Sequence, residues 1–218
     1  MNDIPRRLVA EALGTALLVT AVIGSGIMAD RLTDDVALSL LANTIATGAA
    51  LVMLITTFGP VSGAHFNPIV TLVMSFRREM SVALALAYVV AQCAGGIIGT
   101  WTAHAMFDLP IMQISTTIRT GSAQWLAEAV ASFGLILAIL GAINARANVA
   151  VTVASYITAA YWFTASTSFA NPAVALARAL TDTFAGIRPA DMPGFMLAQI
   201  VGAVAAMWLG GWLFRPTK

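Results

Sequence analysis

Long apolar stretches follow one another along the chain, separated by short polar segments. Six of them contain about twenty residues, which is enough for a helix to cross a hydrocarbon core of roughly 30 Å. They are expected near Leu8–Met28, Val36–Phe58, Ser81–Ala103, Ser122–Asn144, Ala147–Thr164 and Met192–Phe214. The pattern therefore predicts an all-α integral membrane protein with six transmembrane helices in a single domain, residues 1–218.

Two further apolar segments, 59–76 and 165–180, are too broken for a full crossing and too apolar for a water-facing loop. Each contains an Asn-Pro pair. Asn is a preferred N-cap and Pro suits the first helical position, so each pair predicts the start of a helix. The expected helices, 67–76 and 171–181, are about 15 Å long, half the thickness of the membrane core. Both segments are predicted to be re-entrant.

The two halves of the chain repeat the same landmarks in the same order. The first repeat is assigned to residues 1–107 and the second to 122–214. Each half has three spans, an odd number, so the second copy must lie inverted in the bilayer, and inverted repeats share a site near the midplane. The matched pairs are Glu11 with Glu128, Asn67 with Asn171, and Gln92 with Gln199.

Composition supports the membrane prediction and excludes several classes of function. The chain is 59% hydrophobic and 10% charged, whereas a soluble domain has about 25% charged residues. A net charge of +1 gives no basic surface for nucleic acid. Cys93 is the only cysteine, so disulfides within the chain and thiolate metal clusters are excluded. No nucleophile–base pair or metal-ligand cluster is evident, so we expect no enzyme, cofactor or metal site.

The first apolar run resembles a signal peptide because Arg6 and Arg7 precede it. It is about twenty residues long and contains Glu11, so it is predicted to be a retained span. If the N-terminus is inside, the inner segments hold seven Lys and Arg residues and the outer segments hold four. This excess predicts that both termini are cytoplasmic.

The paired half-helices predict a pore. Their N-termini would bring partial positive charge to the midplane, which opposes cations and protons. The side-chain amides of Asn67 and Asn171 would donate hydrogen bonds to a solute. Irregular backbone at this depth must be buried or line a wet cavity. Carbonyls are therefore expected to line the pore at Gly63, Ala64, His65, Thr167, Ser168 and Phe169.

Glu11 and Glu128 need partners, because an acidic side chain in mid-membrane costs about 2.5–3.5 kcal/mol even on the lenient scale. One interpretation is structural: each carboxylate accepts backbone N–H bonds from one re-entrant loop. The other is a proton or cation relay, as in a coupled carrier. His65 also has two interpretations: it is a packed residue of the loop, or its protonation opens and closes the pore.

Four motifs together resemble the major intrinsic protein family, which includes aquaporins and aquaglyceroporins. They are AExxGT around Glu11, SGAHFNP (62–68), Glu128 in the fourth span, and FANPA (169–173). The resemblance covers essentially the whole chain. It implies an aquaporin-like fold of six tilted spans and two half-helices, a pore in each subunit and a homotetramer. It also implies passive flux of water or small uncharged solutes in both directions.

The resemblance also implies a selectivity filter at four positions: Thr47, Ala159, Ser168 and Val174. The family usually has an aromatic residue at the first and Arg at the last. A small, uncharged set predicts a wide filter, similar to that of bacterial members associated with arsenic resistance. This implies a channel in a bacterial inner membrane for arsenite, which is neutral arsenous acid at pH 7, glycerol-like polyols and water.

Other positions leave alternatives open. Ala175 and Ala179 are similar to the residues of water channels, so an orthodox water channel is one alternative. A proton-coupled carrier and a purely structural membrane protein are others. Ile69 replaces the usual Ala and should alter packing at the midplane. Arg178 is either a displaced cation guarding a wider mouth or an interfacial arginine whose side chain reaches water.

Overall fold

The computed structural model describes residues 3–215, and eight α-helices lie in that range. The helices are α1 (Ile4–Leu32), α2 (Val36–Ser62), α3 (Pro68–Phe76), α4 (Val82–Met106), α5 (Ser122–Asn144), α6 (Val149–Phe163), α7 (Pro172–Arg178) and α8 (Met192–Leu213). The all-α aquaporin-like architecture predicted from the sequence is confirmed. Residues 1, 2 and 216–218, which include Lys218, one of the seven positive residues predicted to be inside, lie outside the described residues.

Most helices begin at a residue whose side chain caps them. The carboxylate of Asp35 accepts from the backbone N–H of Ala37 at 2.8 Å, and Asn148 and Ser81 cap α6 and α4 in the same manner. α2 ends where Gly63 adopts φ +89°, a left-handed conformation that glycine takes without strain. α1 is longer than its predicted span by four residues at each end, and α2 by four residues at its C-terminal end, because these turns extend beyond the apolar stretches.

Five helices, α1, α2, α4, α5 and α8, are long and apolar enough to cross a membrane. The remaining predicted span, the fifth in chain order, is shorter than expected. α6 has 15 residues, or about 22 Å, instead of extending over 147–164. Asn148 caps its start, and the chain turns to an extended conformation at Thr164. Large apolar side chains, such as Leu86, Val90 and Trp208, are exposed on the outer surface of the bundle, as expected of a surface that faces lipid.

The helices pack as two similar groups of three. α1 packs against α4 and α2, and α5 packs against α8 and α6; α2 meets α6 between the groups. Glycines allow the closest approaches. A Cβ added to Gly95 of α4 would overlap the carbonyl oxygen of Ala12 in α1, and one added to Gly202 of α8 would overlap that of Ala129 in α5. The two matching contacts occupy the same place in each group.

The two short helices, α3 and α7, lie between these groups and contact each other. α3 has nine residues, close to the prediction, but α7 has seven and ends at Arg178 rather than at residue 181. α7 ends early because N–H groups of neighbouring loop segments bond to the carbonyls at its C-terminal end. The carbonyl of Arg178 accepts from the N–H of Ile187 at 3.2 Å, and that of Ala179 accepts from Ser115 at 3.0 Å. Loop segments therefore take the bonds that a further turn would need.

Candidate pore and filter

The two turns that precede α3 and α7 have the same unusual backbone. In both, the residues four, three and one positions before the Asn have positive φ, between 45° and 89°. All but one are non-glycine residues, for which such angles cost about 1–3 kcal/mol each and persist mainly at functional sites. The residues are Gly63, Ala64 and Phe66 in the first turn, and Thr167, Ser168 and Ala170 in the second.

Glu11 is hydrogen-bonded to the first turn. Its fully buried carboxylate accepts from the backbone N–H of His65 at 3.0 Å and of Phe66 at 2.7 Å, and from the side chains of Ser62 and Gln92. Four donors of this kind offset the cost of burying the carboxylate.

Glu128 does the same for the second turn. It is also fully buried, and it accepts from the N–H groups of Phe169 and Ala170, each at 2.9 Å, and from Gln199 at 2.6 Å. Each carboxylate is therefore bonded to the strained backbone of one turn. This geometry is the one that the structural interpretation of the two glutamates requires.

The two asparagines connect the turns to each other. The side-chain nitrogen of Asn67 donates to the carbonyl of Ala170 at 2.7 Å, and that of Asn171 donates to the carbonyl of Phe66 at 2.8 Å. Their oxygens cap the half-helices: Asn67 accepts from Ile69, which is itself buried, at 3.1 Å. An amide nitrogen carries two N–H donors, so each asparagine keeps one for the cavity that it borders.

One cavity of about 650 Å³ extends past both asparagines, from Arg7 and Glu79 at one end to Arg178 at the other. Its size is in the range of cavities that bind small molecules. Most of the predicted site residues border it: Thr47, Gly63, Ala64, His65, Asn67, Ser168, Phe169, Asn171 and Val174. Thr167 does not border it, although its carbonyl was expected to line the pore.

Ala159 does not join the other predicted filter residues. It is exposed on α6 and does not border the cavity, whereas Tyr161 does. Residues two apart on a helix point about 200° away from each other, so the two cannot share a face. The hydroxyl of Tyr161 lies 3.3 Å from that of Thr47. An aromatic residue therefore lies beside the predicted filter residue Thr47, and it comes from α6 instead of α2.

A periodic pattern in the sequence could have revealed Tyr161. Val149, Val153, Ile157 and Tyr161 are spaced four residues apart and all border the cavity. Side chains at this spacing lie on one face of a helix. The family resemblance instead assigns Ala159 to the filter because it lies twelve residues before Asn171, a spacing that holds only if the connecting segment has its usual length.

Arg178 is buried, with 3% of its surface exposed, so the interpretation that it reaches out to water is wrong. Its Nε donates to the carbonyl of Ala185, and its guanidinium carbon lies 3.4 Å from the ring centroid of Phe169. Arg119, from the loop before α5, approaches the same ring at 5.3 Å. Burial lowers the pKa of the Arg119 guanidinium, against the opposing effects of Glu128 and Tyr161.

A second polar cluster lies at the other end of the cavity. Arg7 donates to the hydroxyl of Tyr88 at 2.7 Å, and that hydroxyl donates to the carbonyl of Ser62 at 2.9 Å. The Nδ1 of His65 lies 3.0 Å from the hydroxyl of Thr71. These contacts fix His65 beside the turn, as a packed residue would be. Within residues 3–215, no three His, Cys, Asp or Glu side chains form a group that could hold a metal.

The family model described as "Major intrinsic protein" matches residues 2–155 of the chain. The chain belongs to the major intrinsic protein family. As a member of this family it is a multi-pass membrane protein that forms a passive channel for water and small solutes, and not an enzyme.

Relatives across the family support this assignment. An aquaglyceroporin of Rhizobium meliloti, AqpS, is 61% identical over 217 residues, which cover 99% of this chain and 93% of that protein. The glycerol uptake facilitator protein-like 6 of Lactiplantibacillus plantarum is 29% identical over 92% of the chain and 94% of its own length. The crystal structure of the aquaglyceroporin from Plasmodium falciparum has the same fold, with a TM-score of 0.74 at 18% identity over 95% of each chain.

Proposed function

We propose that the channel conducts small uncharged solutes that are larger than water. These solutes are arsenous acid and related metalloid hydroxides and glycerol-like polyols, and the channel conducts water as well. Asn67 and Asn171 act as hydrogen-bond donors at the midplane, and carbonyls of the two turns accept from the solute. Thr47, Ser168, Val174 and Tyr161 form the filter.

The observation that carries this proposal is the identity of the residues around the cavity at the level of the filter. Val174 borders the cavity where the family resemblance implies an arginine, and Thr47, Ser168 and Tyr161, which border the same cavity, have hydroxyl groups and, in Tyr161, an aromatic ring. These four positions carry no fixed charge. They suit a neutral solute that has both oxygen atoms and apolar surface.

The contacts of Glu11 and Glu128 favour a passive channel over a proton-coupled carrier. Both carboxylates are fully buried and bonded to backbone N–H groups. A carboxylate that takes up and releases a proton in each transport cycle would have to give up such bonds, each of which helps to hold a strained turn. We therefore propose that the two glutamates support the loops.

The names of the relatives agree with this choice of solutes, since one is called an aquaglyceroporin and another a glycerol uptake facilitator. We further propose a homotetramer in a bacterial inner membrane with both termini in the cytoplasm. The whole chain then forms one channel domain of two inverted repeats, residues 1–107 and 122–214, each contributing one half-helix.

The test is a solute panel on purified protein in liposomes: water, glycerol, arsenite and methylated arsenicals, each measured as the rate of swelling or of labelled uptake. We expect flux of glycerol and arsenite well above that of empty liposomes. Flux of water without flux of glycerol or arsenite would identify an orthodox water channel. No flux of water or of any solute would favour a structural role. The matched variant Val174→Arg should reduce glycerol flux more than water flux; an equal loss would contradict the assignment of Val174 to the filter.

A further inference from the structure

We propose that Arg178 and Ser168 form a binding site for small monovalent oxyanions in the outer half of the pore. The inference rests on the proposed function, because it concerns the same filter, and it adds a ligand class to the neutral solutes. The cation that is missing at Val174 is present four residues later, one helical turn along the same face of α7.

Arg178 is held rigidly. One face of its guanidinium lies on the ring of Phe169 at 3.4 Å, and Phe169 is itself packed against Phe195, with ring centroids 5.1 Å apart. The bond from Nε to the carbonyl of Ala185 fixes the rotation of the group. A planar cation held in this way by stacking and by one backbone bond is preorganised to present its remaining donors.

Those donors are not used within the structure. A guanidinium has five N–H groups, and the bond to Ala185 is the one hydrogen bond that the Arg178 side chain makes within residues 3–215. In that same part of the chain, no carboxylate lies within 4.0 Å of its nitrogens. Arg178 nevertheless borders the cavity. A buried cation without a counter-charge is unfavourable, and an anion in the cavity would supply the missing charge.

Ser168 is the second, independent observation. Its side-chain oxygen is buried and has no hydrogen-bond partner among residues 3–215. Buried hydroxyl groups are nearly always bonded, and an unpaired one needs an explanation. Ser168 borders the same cavity as Arg178. Its hydroxyl can donate to an oxygen of the ligand that Arg178 binds.

A second arginine lies near Arg178: the guanidinium carbon of Arg119 is 5.3 Å from the centroid of the same Phe169 ring. The acidic groups of this region are already bonded. Glu128 accepts from the second turn, and Asp191 accepts from the backbone N–H of Arg119 and from the side chain of Arg188. A small oxyanion with one negative charge and an apolar part, which would face Val174, matches these surroundings.

The experiment compares two probes of nearly the same shape, methanesulfonate and the neutral methanesulfonamide, as inhibitors of glycerol flux in proteoliposomes. We expect methanesulfonate to inhibit the wild-type channel saturably and methanesulfonamide to have little effect. Replacing Arg178 with Gln removes a charged donor, so the affinity for methanesulfonate should fall roughly ten-fold or more. Arg178→Lys should retain part of the affinity. The control is Arg188→Gln, which removes an outer arginine that does not border the cavity.

Equal effects of the two probes on the wild-type channel would overturn the proposal, as would inhibition that is unchanged in folded Arg178→Gln. If that variant does not fold, the comparison of the two probes on the wild-type protein still tests the proposal. Binding is also measured without flux, as the increase in thermal unfolding temperature produced by methanesulfonate. A wild-type protein that conducts no neutral solute, yet is stabilised by methanesulfonate but not methanesulfonamide, would refute the proposed function and support this site.

Discussion

Asn67 and Asn171 each donate a hydrogen bond to the carbonyl that immediately precedes the other: 2.7 Å to Ala170 and 2.8 Å to Phe66. This reciprocal pair joins the two re-entrant turns at the point where the half-helices α3 and α7 begin. Each side chain therefore has three tasks, since its oxygen caps a helix, one N–H bonds the opposite turn and the other N–H remains for the cavity.

The substitution Asn67→Ala should destabilise the protein more than the loss of an ordinary cap. It removes the cap of α3 and leaves the carbonyl of Ala170 without its partner, at a combined cost of about 2–4 kcal/mol. The control, Ser81→Ala, removes only the exposed cap of α4 and should cost about 1 kcal/mol. Unfolding in mixed micelles titrated with a denaturing detergent measures both. Equal losses would show that the bond between the turns contributes nothing.

The substitution Glu128→Gln separates the two interpretations of the buried glutamates. A neutral amide has one acceptor oxygen in place of two, so one of the N–H groups of Phe169 and Ala170 loses its partner. We expect a loss of about 1–3 kcal/mol in the free energy of unfolding and a lower flux of water and glycerol alike. The control Glu79→Gln removes an exposed carboxylate paired with Arg77 and should cost at most about 1 kcal/mol. A fully stable Glu128→Gln protein would contradict the structural role.

Gly95 tests the close packing of α1 against α4. Alanine at this position would place its Cβ on the carbonyl oxygen of Ala12, and such overpacking costs about 1–3 kcal/mol. The control is Gly211→Ala in α8, where the added Cβ meets nothing within 4 Å. There, the better helix propensity of alanine should leave the free energy of unfolding unchanged or raise it by up to about 1 kcal/mol. Gly95→Ala with wild-type stability would mean that the two helices are farther apart.

Tyr161 is expected to limit the width of the filter. Its ring borders the cavity and its hydroxyl lies 3.3 Å from that of Thr47, so Tyr161→Ala should raise the ratio of glycerol to water flux several-fold. The control is Ala159→Ser, which changes the residue that the family spacing assigned to the filter but that faces away from the cavity. Stopped-flow swelling of proteoliposomes gives both rates. A change of ratio in Ala159→Ser but not in Tyr161→Ala would restore the original assignment.

The parts of the fold and site that the sequence predicted are those with a local signal. Asn-Pro pairs start helices through their own side chain and ring, and a glutamate in a long apolar run must have a buried partner. The spans are equally local, because twenty apolar residues have few alternatives to crossing the membrane. These signals were sufficient to predict the two half-helices and to place Glu11 and Glu128 beside the turns.

The predictions from sequence were wrong where contacts between distant segments determine the local structure. The face that α6 presents to the cavity depends on the length of the connection from Phe163 to Asn171, so counting back from Asn171 selected Ala159 instead of Tyr161. The end of α7 depends on hydrogen bonds from Ser115 and Ile187. The burial of Arg178 depends on Phe169 and on a carbonyl seven residues away. The contacts of α7 and Arg178 have no periodic or local pattern in the sequence, whereas the cavity-facing side of α6 does have one, with a spacing of four residues.

The most direct test of a passive channel is the uptake of labelled arsenite by proteoliposomes that carry a proton gradient, with and without an uncoupler. Passive flux through the cavity predicts that the internal concentration rises only to the external one, at the same rate in both conditions. Accumulation above the external concentration, or uptake abolished by the uncoupler, would contradict the account and favour a coupled carrier.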